Sequence, residues 1–403
     1  MRSSYKRIGS YVKQVNNRNK DLSVTNIQGI NINKELMPSV ANTNGTDLSK
    51  YKVVSHKQFA FNPMHVGRDE VLPISMLADE ESVIVSPAYF VFKVKDENEL
   101  LPEYLMMWCR RPEFDRNAWF TTDSSVRGGF SWKDFCDLTL PVPSIEKQRE
   151  IVKEYQTITD RIKLNEQINQ KLEETAQAIY KQWFVDFEFP ISKEYALEVG
   201  KPKLEDKPYN SSSGEMVWND ELNQEIPKGW EGAKYENSVN FRTGKLNSNA
   251  SVIDGKYPFF TCSAETFKTN TYAFDCEAVL LAGNNASAVY PLKYFRGKFD
   301  AYQRTYVVQP KNKRLSTEQI YFSLKDELEG FKGTSSGTAT KFLTKGILND
   351  LKIVLPTQTY SAKFKNLVGP LFFYRLVLND SFEKLLNIQS LLLSKMTKLG
   401  TTA

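Results

Sequence analysis

Two stretches of this 403-residue chain are rich in small polar and basic side chains that can bind phosphates and base edges. They are residues 121–130 (TTDSSVRGGF) and 333–342 (GTSSGTATKF), and each precedes a Leu-Pro pair. Serine, threonine, lysine and arginine can hydrogen-bond phosphate oxygens or bases, and glycine lets a backbone approach closely. The alternative is that both stretches are solvated turns, which have the same composition. Their equivalent positions favour the binding hypothesis.

The sequence contains no recognisable arrangement of residues for catalysis or metal binding. Residues 244–246 (GKL) lack the Ser or Thr that ends a phosphate-binding P-loop. Residues 62–65 (NPMH) lack the second proline of the loop that amino-methyltransferases use at a flipped base. His56 and His65 have no Cys or acidic neighbours at ligand spacing, and the four cysteines form no CxxC pair. We therefore expect a protein without catalytic residues, bound cofactor or metal.

Length and composition indicate a multidomain soluble protein. The chain is 41% hydrophobic and 25% charged, and its length exceeds that of one ordinary domain. No apolar run reaches the length of a membrane span, and the first residues do not resemble a secretory signal, so a cytoplasmic protein is predicted. The net charge of +5 conceals an acidic stretch, residues 183–226, before a more basic one, residues 227–356. The basic half weakly favours nucleic-acid binding.

A long heptad pattern occurs twice, each time after a Leu-Pro pair. In the first copy, hydrophobic residues alternate at spacings of four and three around Asn165 and Asn169. This seam contains Ile151, Tyr155, Ile158, Ile162 and Leu172. The second copy contains Leu371, Tyr374, Leu378, Leu385 and Leu392. Offsets of 216 and 214 residues both preserve the repeat, which indicates the duplication of one large unit.

The heptad patterns predict two long helices, one within residues 146–190 and one within residues 357–403. We expect the second helix to begin near Pro370, because proline is unfavourable inside a helix. A long amphipathic helix needs a partner to bury its seam, and the other copy is the obvious one. The alternative is that each helix packs on its own globular domain. Residues 191–226, rich in charge and helix breakers, are predicted to be a linker.

The remaining segments, residues 1–145 and 227–356, predict two mixed α/β domains. Strands are expected where β-branched and aromatic runs are bounded by turn residues. These runs are residues 51–55, 82–86, 89–94, 138–141, 257–261, 278–282, 306–309 and 352–355. Residues 103–111 and 317–326 are predicted to form short helices. The predicted fold class is α+β, with two mixed domains alternating with two long helices that pair as an antiparallel coiled coil.

Three motifs resemble those of the DNA-specificity subunits of type I restriction–modification systems. Residues 226–231 (IPKGWE) resemble the start of a target recognition domain. Residues 140–151 (LPVPSIEKQREI) resemble its exit into a helix, and residues 179–187 (IYKQWFVDF) resemble the end of that helix. The resemblance covers essentially the whole chain. Residues 355–360 (LPTQTY) depart from the exit motif, and the first domain lacks the Pro-Lys-Gly-Trp start.

The resemblance implies that each domain reads one half of a split, asymmetric DNA site, while the helices set the gap and dock other subunits. The implied partners are double-stranded DNA, methyltransferase subunits, two in number, and restriction or motor subunits, with no membrane. The implied cofactors, S-adenosylmethionine, ATP and Mg²⁺, would be bound by those other subunits. A non-DNA adaptor, with two domains on a coiled-coil strut, is the alternative.

Within such a protein, arginine is the commonest reader of guanine, and asparagine or glutamine of adenine. Ser125 and Arg127 are the stronger candidates in the first domain, with Asn62 and Arg68 as weaker ones. The candidates in the second domain are Arg242, Lys245, Asn284, Asn285, Thr338 and Lys341. Lys293, Arg296 and Arg304 are predicted to hold phosphates.

We predict that Arg127→Ala relaxes or abolishes recognition of the first half-site only, because a bidentate base contact contributes about 1–3 kcal/mol of discrimination. Binding assays with base substitutions in each half-site measure this effect. An equal loss at both half-sites would contradict the assignment of Arg127.

Overall fold

The computed structural model describes residues 5–39, 45–64, 66–122, 129–284, 290–334 and 343–397. The chain divides into two compact units. Unit 1 consists of Met1–Leu164 and Phe382–Ala403, and unit 2 consists of Asn165–Ser381. Both units mix helices and strands, so the prediction of mixed α/β domains with two long helices is confirmed.

Unit 1 contains ten short strands, four complete helices and parts of the two long helices among its described residues. The strands are β1 (Tyr5–Arg7), β2 (Val12–Val15), β3 (Gln28–Ile30), β4 (Leu36–Pro38), β5 (Lys52–Val54), β6 (Phe59–Phe61), β7 (Ile74–Met76), β8 (Val83–Val85), β9 (Phe90–Val94) and β10 (Thr139–Pro141). The helices are α1 (Val66–Asp69), α2 (Pro102–Cys109), α3 (Pro112–Phe120), α4 (Trp132–Asp137) and the first half of α5 (Ile145–Phe184).

The central sheet of unit 1 is antiparallel and has the order β2-β9-β6-β7. Its core is aromatic: Phe59 stacks on Phe92 with ring centroids 4.8 Å apart, and Phe61 lies 5.1 Å from Phe135 of α4. Buried aromatic rings contribute large apolar areas, so short strands can be stable here. A separate pair, β1 with β10, closes the domain next to α5.

Unit 2 contains the remaining strands and helices. The strands are β11 (Met216–Asn219), β12 (Gln224–Pro227), β13 (Glu231–Lys234), β14 (Val239–Thr243), β15 (Tyr257–Phe260), β16 (Thr266–Thr269), β17 (Phe274–Ala282), β18 (Leu292–Ala301), β19 (Thr305–Pro310) and β20 (Lys352–Leu355). The helices are α6 (Lys193–Glu198), α7 (Tyr235–Ser238), α8 (Thr317–Thr334), α9 (Lys345–Asp350) and α10 (Gln358–Lys395), together with the end of α5. The last part of α10 belongs to unit 1.

The sheet of unit 2 repeats the topology of the unit 1 sheet. Strands β14-β19-β17-β18 are antiparallel in the same order as β2-β9-β6-β7, and β13 pairs with β20 as β1 pairs with β10. Strands β15 and β16 extend the second sheet beyond β18. The internal duplication inferred from the two heptad patterns therefore extends to the globular parts of the chain.

The predicted linker, residues 191–226, is folded in unit 2. It contains α6 and the β11–β12 hairpin, and Ile191 and Tyr209 are buried in the main core of the unit. Phe189, just before it, stacks on Trp230 at 4.6 Å and lies 4.5 Å from Tyr360 of α10. Aromatic residues in and beside this segment pack it into the core of unit 2. They are few among many polar residues, so the composition alone predicted a linker.

The second long helix begins at residue 358, twelve residues before the predicted start, and Pro370 lies inside it. Proline removes one backbone hydrogen bond from a helix. Phe364, Val368 and Phe372 are buried on both sides of Pro370 in the core of unit 2. Burial of this helical face compensates for the lost hydrogen bond.

The predicted α5 seam faces inward, whereas part of the α10 seam is shifted by one residue. Ile151, Tyr155, Ile158, Ile162 and Leu172 are buried or half-buried. On α10, Leu371, Leu378, Leu385 and Leu392 are half-buried. Tyr374, however, is 59% exposed, and its neighbour Arg375 occupies the inward position. Because Arg375 is polar, the hydrophobic pattern of the sequence did not reveal that the inward position shifts from Tyr374 to Arg375.

Polar contacts join α5 to α10 inside unit 2. Asn169 donates to the amide oxygen of Asn379 at 3.0 Å, and Arg375 donates to Asn169 at 3.0 Å. Arg375 also donates to Glu173 at 2.6 Å, and Lys325 of α8 donates to the same carboxylate at 2.8 Å. Burial raises the pKa of Glu173, but the hydrogen bond from Lys325 and the charges of Arg375 and Lys325 outweigh it, so this pKa lies below its ordinary value.

In unit 1 the end of α10 packs near the start of α5. Gln389 donates to the hydroxyl of Thr159 at 3.0 Å, and Met396 is buried in the same core cluster as Tyr155. The buried guanidinium of Arg111 donates to the hydroxyl of Thr397 at 2.8 Å. Unit 1 is therefore built from residues at both ends of the described chain.

We predict that Glu173→Gln lowers the free energy of unfolding by about 1–3 kcal/mol near neutral pH, because two cations lose their carboxylate partner. The lowered pKa means that this stabilisation exists above the ordinary value of 4.5 and disappears as the pH falls through the folded value. Urea titrations should therefore show a difference from the wild type that narrows in acid. Glu174→Gln, at an exposed neighbour, is the control, and a loss as large as that of Glu173→Gln would contradict the prediction.

Candidate nucleic-acid interface

The loops at one end of the unit 2 sheet are tied together by hydrogen bonds. The amide of Gly283 donates to the carbonyl of Arg304 at 2.8 Å, and the amide of Leu343 donates to the carbonyl of Gly283 at 2.9 Å. The thiol of Cys262 lies 3.4 Å from the same Arg304 carbonyl. We call residues 244–246, 261–265, 283–284 and 302–304, together with Lys293, which donates to the carbonyl of Glu265, the loop edge of unit 2. The sheet holds these loops as one surface.

Close backbone contacts within the loop edge require glycine. A Cβ at Gly244 would lie 1.7 Å from the carbonyl oxygen of Ala301, and one at Gly283 would lie 2.7 Å from that of Arg304. The amide of Gln303 also donates to the carbonyl of Leu246 at 3.0 Å. The close approach that Gly244 permits is therefore to the protein's own backbone.

The loop edge brings together four of the predicted DNA-binding residues, Lys245, Asn284, Lys293 and Arg304. The ammonium of Lys293 donates to the carbonyl of Glu265 at 2.7 Å and to the hydroxyl of Thr266 at 3.0 Å. Burial lowers the pKa of Lys293 to about 8, and the charge of Glu265 opposes this shift only in part. An ammonium has three donors, and these two contacts use two of them.

Arg242 lies on β14, on the sheet face that carries a small aromatic cluster. Its guanidinium is 5.2 Å from the ring centroid of Phe274 and donates to the side chain of Gln309. Lys293 lies over another ring of the same cluster, Phe260, at 5.8 Å. A guanidinium stacked on a ring is held in one orientation while its other face stays available to a ligand.

Arg296 is not brought to this surface. It lies on β18 three residues after Lys293, and successive side chains of a strand point to opposite faces. Its cross-strand partner is Glu277, which forms a 3.1 Å ion pair with Lys365 of α10. The prediction placed Lys293 and Arg296 in one phosphate-binding group, because β18 had not been recognised as a strand.

Unit 1 has an equivalent junction at Asn62. The amide of Phe130 donates to the carbonyl of Pro63 at 3.0 Å, as the amide of Leu343 donates to Gly283 in unit 2. The side chain of Asn62 accepts from the amide of Met64 at 3.0 Å. Asn62 thus shapes its own loop. Arg68 lies in α1, with its side chain outside the described part of the chain.

The other predicted base-reading residues lie outside the described residues. They are Ser125, Arg127, Asn285, Thr338 and Lys341. The 261–265 loop, TCSAE, also belongs to the loop edge of unit 2, and its small polar composition resembles that of the loops predicted to bind DNA. Its position after a predicted strand was the available signal.

Three of the four cysteines have raised pKa values, and the described cysteines and histidine form no metal-binding group. Burial raises the pKa of Cys109 to about 12, and it also raises the pKa of Cys136 and of Cys276. A raised pKa disfavours the nucleophilic thiolate. Within the described ranges, no three His, Cys, Asp or Glu side chains are grouped so that they could hold a metal ion. The same ranges contain no helix long and apolar enough to cross a membrane.

Comparisons with known proteins agree on one family. The family model described as "Type I restriction modification DNA specificity domain" matches residues 73–174 and 227–364, which together exceed half of the chain. The chain is 37% identical over 132 residues to the specificity subunit of the type I restriction enzyme EcoDI from Escherichia coli. It is 24% identical over 346 residues to that of MjaIX from Methanocaldococcus jannaschii, which covers 79% of this chain and 68% of that one.

The extent of these matches differs. The EcoDI match covers 33% of this chain and only 29% of that subunit. In fold, the chain is similar to the crystal structure of the type I restriction–modification system S subunit from M. genitalium. The TM-score is 0.60 at 12% identity, with 97% of this chain and 95% of that chain covered.

We expect Lys293→Met to weaken binding to duplex DNA and to reduce the slope of log affinity against log salt by about 1, as for one lost phosphate contact. Because the Lys293 ammonium loses its charge above a pKa of about 8, wild-type binding should weaken as the pH rises through that value. The variant should lack this pH dependence. Lys203→Met, at an exposed site, is the control; an unchanged pH profile in Lys293→Met would count against the contact.

Proposed function

The chain belongs to the type I restriction–modification DNA specificity family, and from this premise we propose that it is the sequence-specific DNA-binding subunit of such a system. Each unit would read one half of a bipartite site. The observation that carries this proposal is that the family model matches one segment in each half of the chain, and both halves share one sheet topology.

The two half-sites should differ in sequence. The strand order and the junction beside the sheet are repeated, but the residues on the loops are not. The junction in unit 1 carries Asn62, whereas the loop edge of unit 2 carries Lys245, Lys293 and Arg304. Because base recognition depends on such side chains, a duplicated scaffold with different loops favours an asymmetric target.

We further propose that α5 and α10 pair as an antiparallel coiled coil that sets the gap between half-sites. The contacts inside unit 2 support the antiparallel direction. Asn165 bonds Ser381, Asn169 bonds Asn379 and Glu173 bonds Arg375, so the partner number falls as the α5 number rises. A helix rises about 1.5 Å per residue, so the length of the pair would be converted into a fixed DNA spacing.

The outer surface of α10 supports docking of other subunits. Leu367, Phe373, Tyr374 and Val377 are all exposed on this helix. Exposed apolar residues in a contiguous group indicate a protein interface. We assign this surface to methyltransferase subunits, two per complex, and expect restriction or motor subunits to join through them.

Catalysis would then reside in the partner subunits. The family is generally non-catalytic, so this chain would supply the DNA sequence specificity of the complex. S-adenosylmethionine, ATP and Mg²⁺ would bind to the methyltransferase and motor subunits, which methylate a flipped adenine or cleave DNA in the cytoplasm. The adaptor hypothesis is not favoured. A specificity subunit should bind DNA with a steep salt dependence, because it contacts phosphates, whereas an adaptor should not.

The decisive experiment is a methylome of the source strain with and without this gene. We expect one split, asymmetric N6-methyladenine motif to disappear on deletion, because no other chain would direct the methyltransferase to it. Complementation with the intact gene is the control. An unchanged methylome, with the partner methyltransferase expressed, would contradict the proposal.

A further inference from the structure

A turn at the far end of the β15–β16 hairpin carries an unusually exposed aliphatic side chain. The amide of Gly255 donates to the carbonyl of Val252 at 3.1 Å, which closes a four-residue turn with Ile253 and Asp254 at its corners. The side chain of Ile253 is 95% exposed. Ile253 therefore packs almost nothing of its own chain, and any role it has outside the fold depends on the groups that surround the turn.

The turn is held firmly against the hairpin. The amide of Val252 donates to the carbonyl of Lys268 at 2.8 Å. A Cβ at Gly255 would lie 2.5 Å from the amide nitrogen of Thr269, so glycine is needed for this approach. Ile253 is therefore presented by a braced turn.

Beside the turn lies a pair of tyrosine rings with a lysine on each. The rings of Tyr257 and Tyr272 are 5.0 Å apart. The ammonium of Lys256 lies 5.3 Å from the Tyr257 ring centroid, and that of Lys298 lies 4.7 Å from the Tyr272 centroid. The neighbouring Thr271 is anchored through a 2.9 Å hydrogen bond to Asp300, which is buried. The lysines are thus oriented by the rings.

The local charge favours a polyanion as the ligand. Lys256, Lys268 and Lys298 outnumber Asp254 and Asp275 around the turn. A protein partner would be expected to cover Ile253 with apolar surface, whereas a duplex offers both phosphates for the lysines and base steps for an aliphatic wedge. The combination of one apolar tip and flanking cations fits DNA better.

The position of the turn fits the same duplex. Strand β15 runs from the turn to the 261–265 loop of the loop edge, and its four residues span roughly 13 Å. That length corresponds to about four base pairs along a duplex. A duplex whose bases are read at the loop edge would therefore pass the turn a few base pairs away.

We infer that this turn is a second DNA contact, in which Ile253 inserts between base pairs of the minor groove beside the second half-site, while Lys256 and Lys298 hold the adjacent phosphates. The inference rests on the proposed function. It adds a contact that deforms the DNA beyond the base pairs that the second unit recognises. Insertion of such a wedge unstacks one step and bends the duplex, which makes the flanking sequence matter through its deformability.

The test uses the complete complex with its methyltransferase subunits and a cognate duplex carrying 2-aminopurine at successive positions beside the second half-site. We expect the wild-type complex to raise 2-aminopurine fluorescence roughly four base pairs from the half-site, because the base is unstacked there. Ile253→Ser should abolish this increase and weaken binding roughly tenfold. Lys256→Gln with Lys298→Gln should reduce the salt slope by about 2.

Ile32→Ser is the matched control, because Ile32 is also exposed (61%) on a turn, closed by the amide of Lys34 on Asn31 at 3.0 Å. Lys34 itself is buried and paired with Asp115, so that turn lacks the exposed cations. The control should keep the fluorescence increase at the second half-site.

Three results would overturn the inference. If Ile253→Ser keeps the fluorescence increase and the affinity while wild-type recognition is intact, the turn does not contact DNA, and the proposed function stands. If Ile253→Ser instead prevents assembly with the methyltransferase subunit, the turn is a protein contact. If the wild-type complex shows no preference for the cognate duplex, the proposed function itself fails.

Discussion

The aromatic cluster around Phe189 is the contact on which the arrangement of unit 2 depends. Phe189 touches Tyr209 and Trp230 by stacking and Tyr360 edge-on, and Phe184 of α5 meets Phe364 of α10 at 4.8 Å. The cluster thereby joins the end of one long helix, the segment that follows it, Trp230 just before β13 and the start of the other long helix. Because close-packed rings tolerate little displacement, the positions of the two helices relative to the unit 2 core follow from this cluster.

The sequence was sufficient to predict elements whose signal is periodic. The α5 seam and strands such as β9, β17 and β20 lie where the hydrophobic pattern indicated. The seam predicted on α10 was wrong at Arg375. This polar residue, which bonds Glu173, occupies an inward position where a heptad repeat normally has an apolar residue. Pro370 and the folded 191–226 segment were misjudged for a related reason: local propensity is overridden by tertiary packing around Phe364 and Tyr209.

The candidate interface was predictable in composition but not in geometry. Loops containing Lys245 and Asn284 were identified by residue type, and the sheet brings them together. The division of Lys293 and Arg296 between opposite faces required knowledge of β18, whose alternation of charged and aromatic residues does not resemble an ordinary half-buried strand. The exposed Ile253 carried no signal in sequence, because exposure is a property of the folded chain alone.

The crossing of the unit boundary by both long helices has a consequence for biosynthesis. Residues 165–381 form unit 2 as one continuous stretch of the chain, so all the segments that pack in this unit have left the ribosome once Ser381 has emerged. Unit 1 starts earlier but needs Met396 to complete its core and Thr397 to accept a hydrogen bond from the buried Arg111. The domain whose synthesis begins first is therefore completed last, and its apolar surface stays uncovered until Met396 and Thr397 have been synthesised.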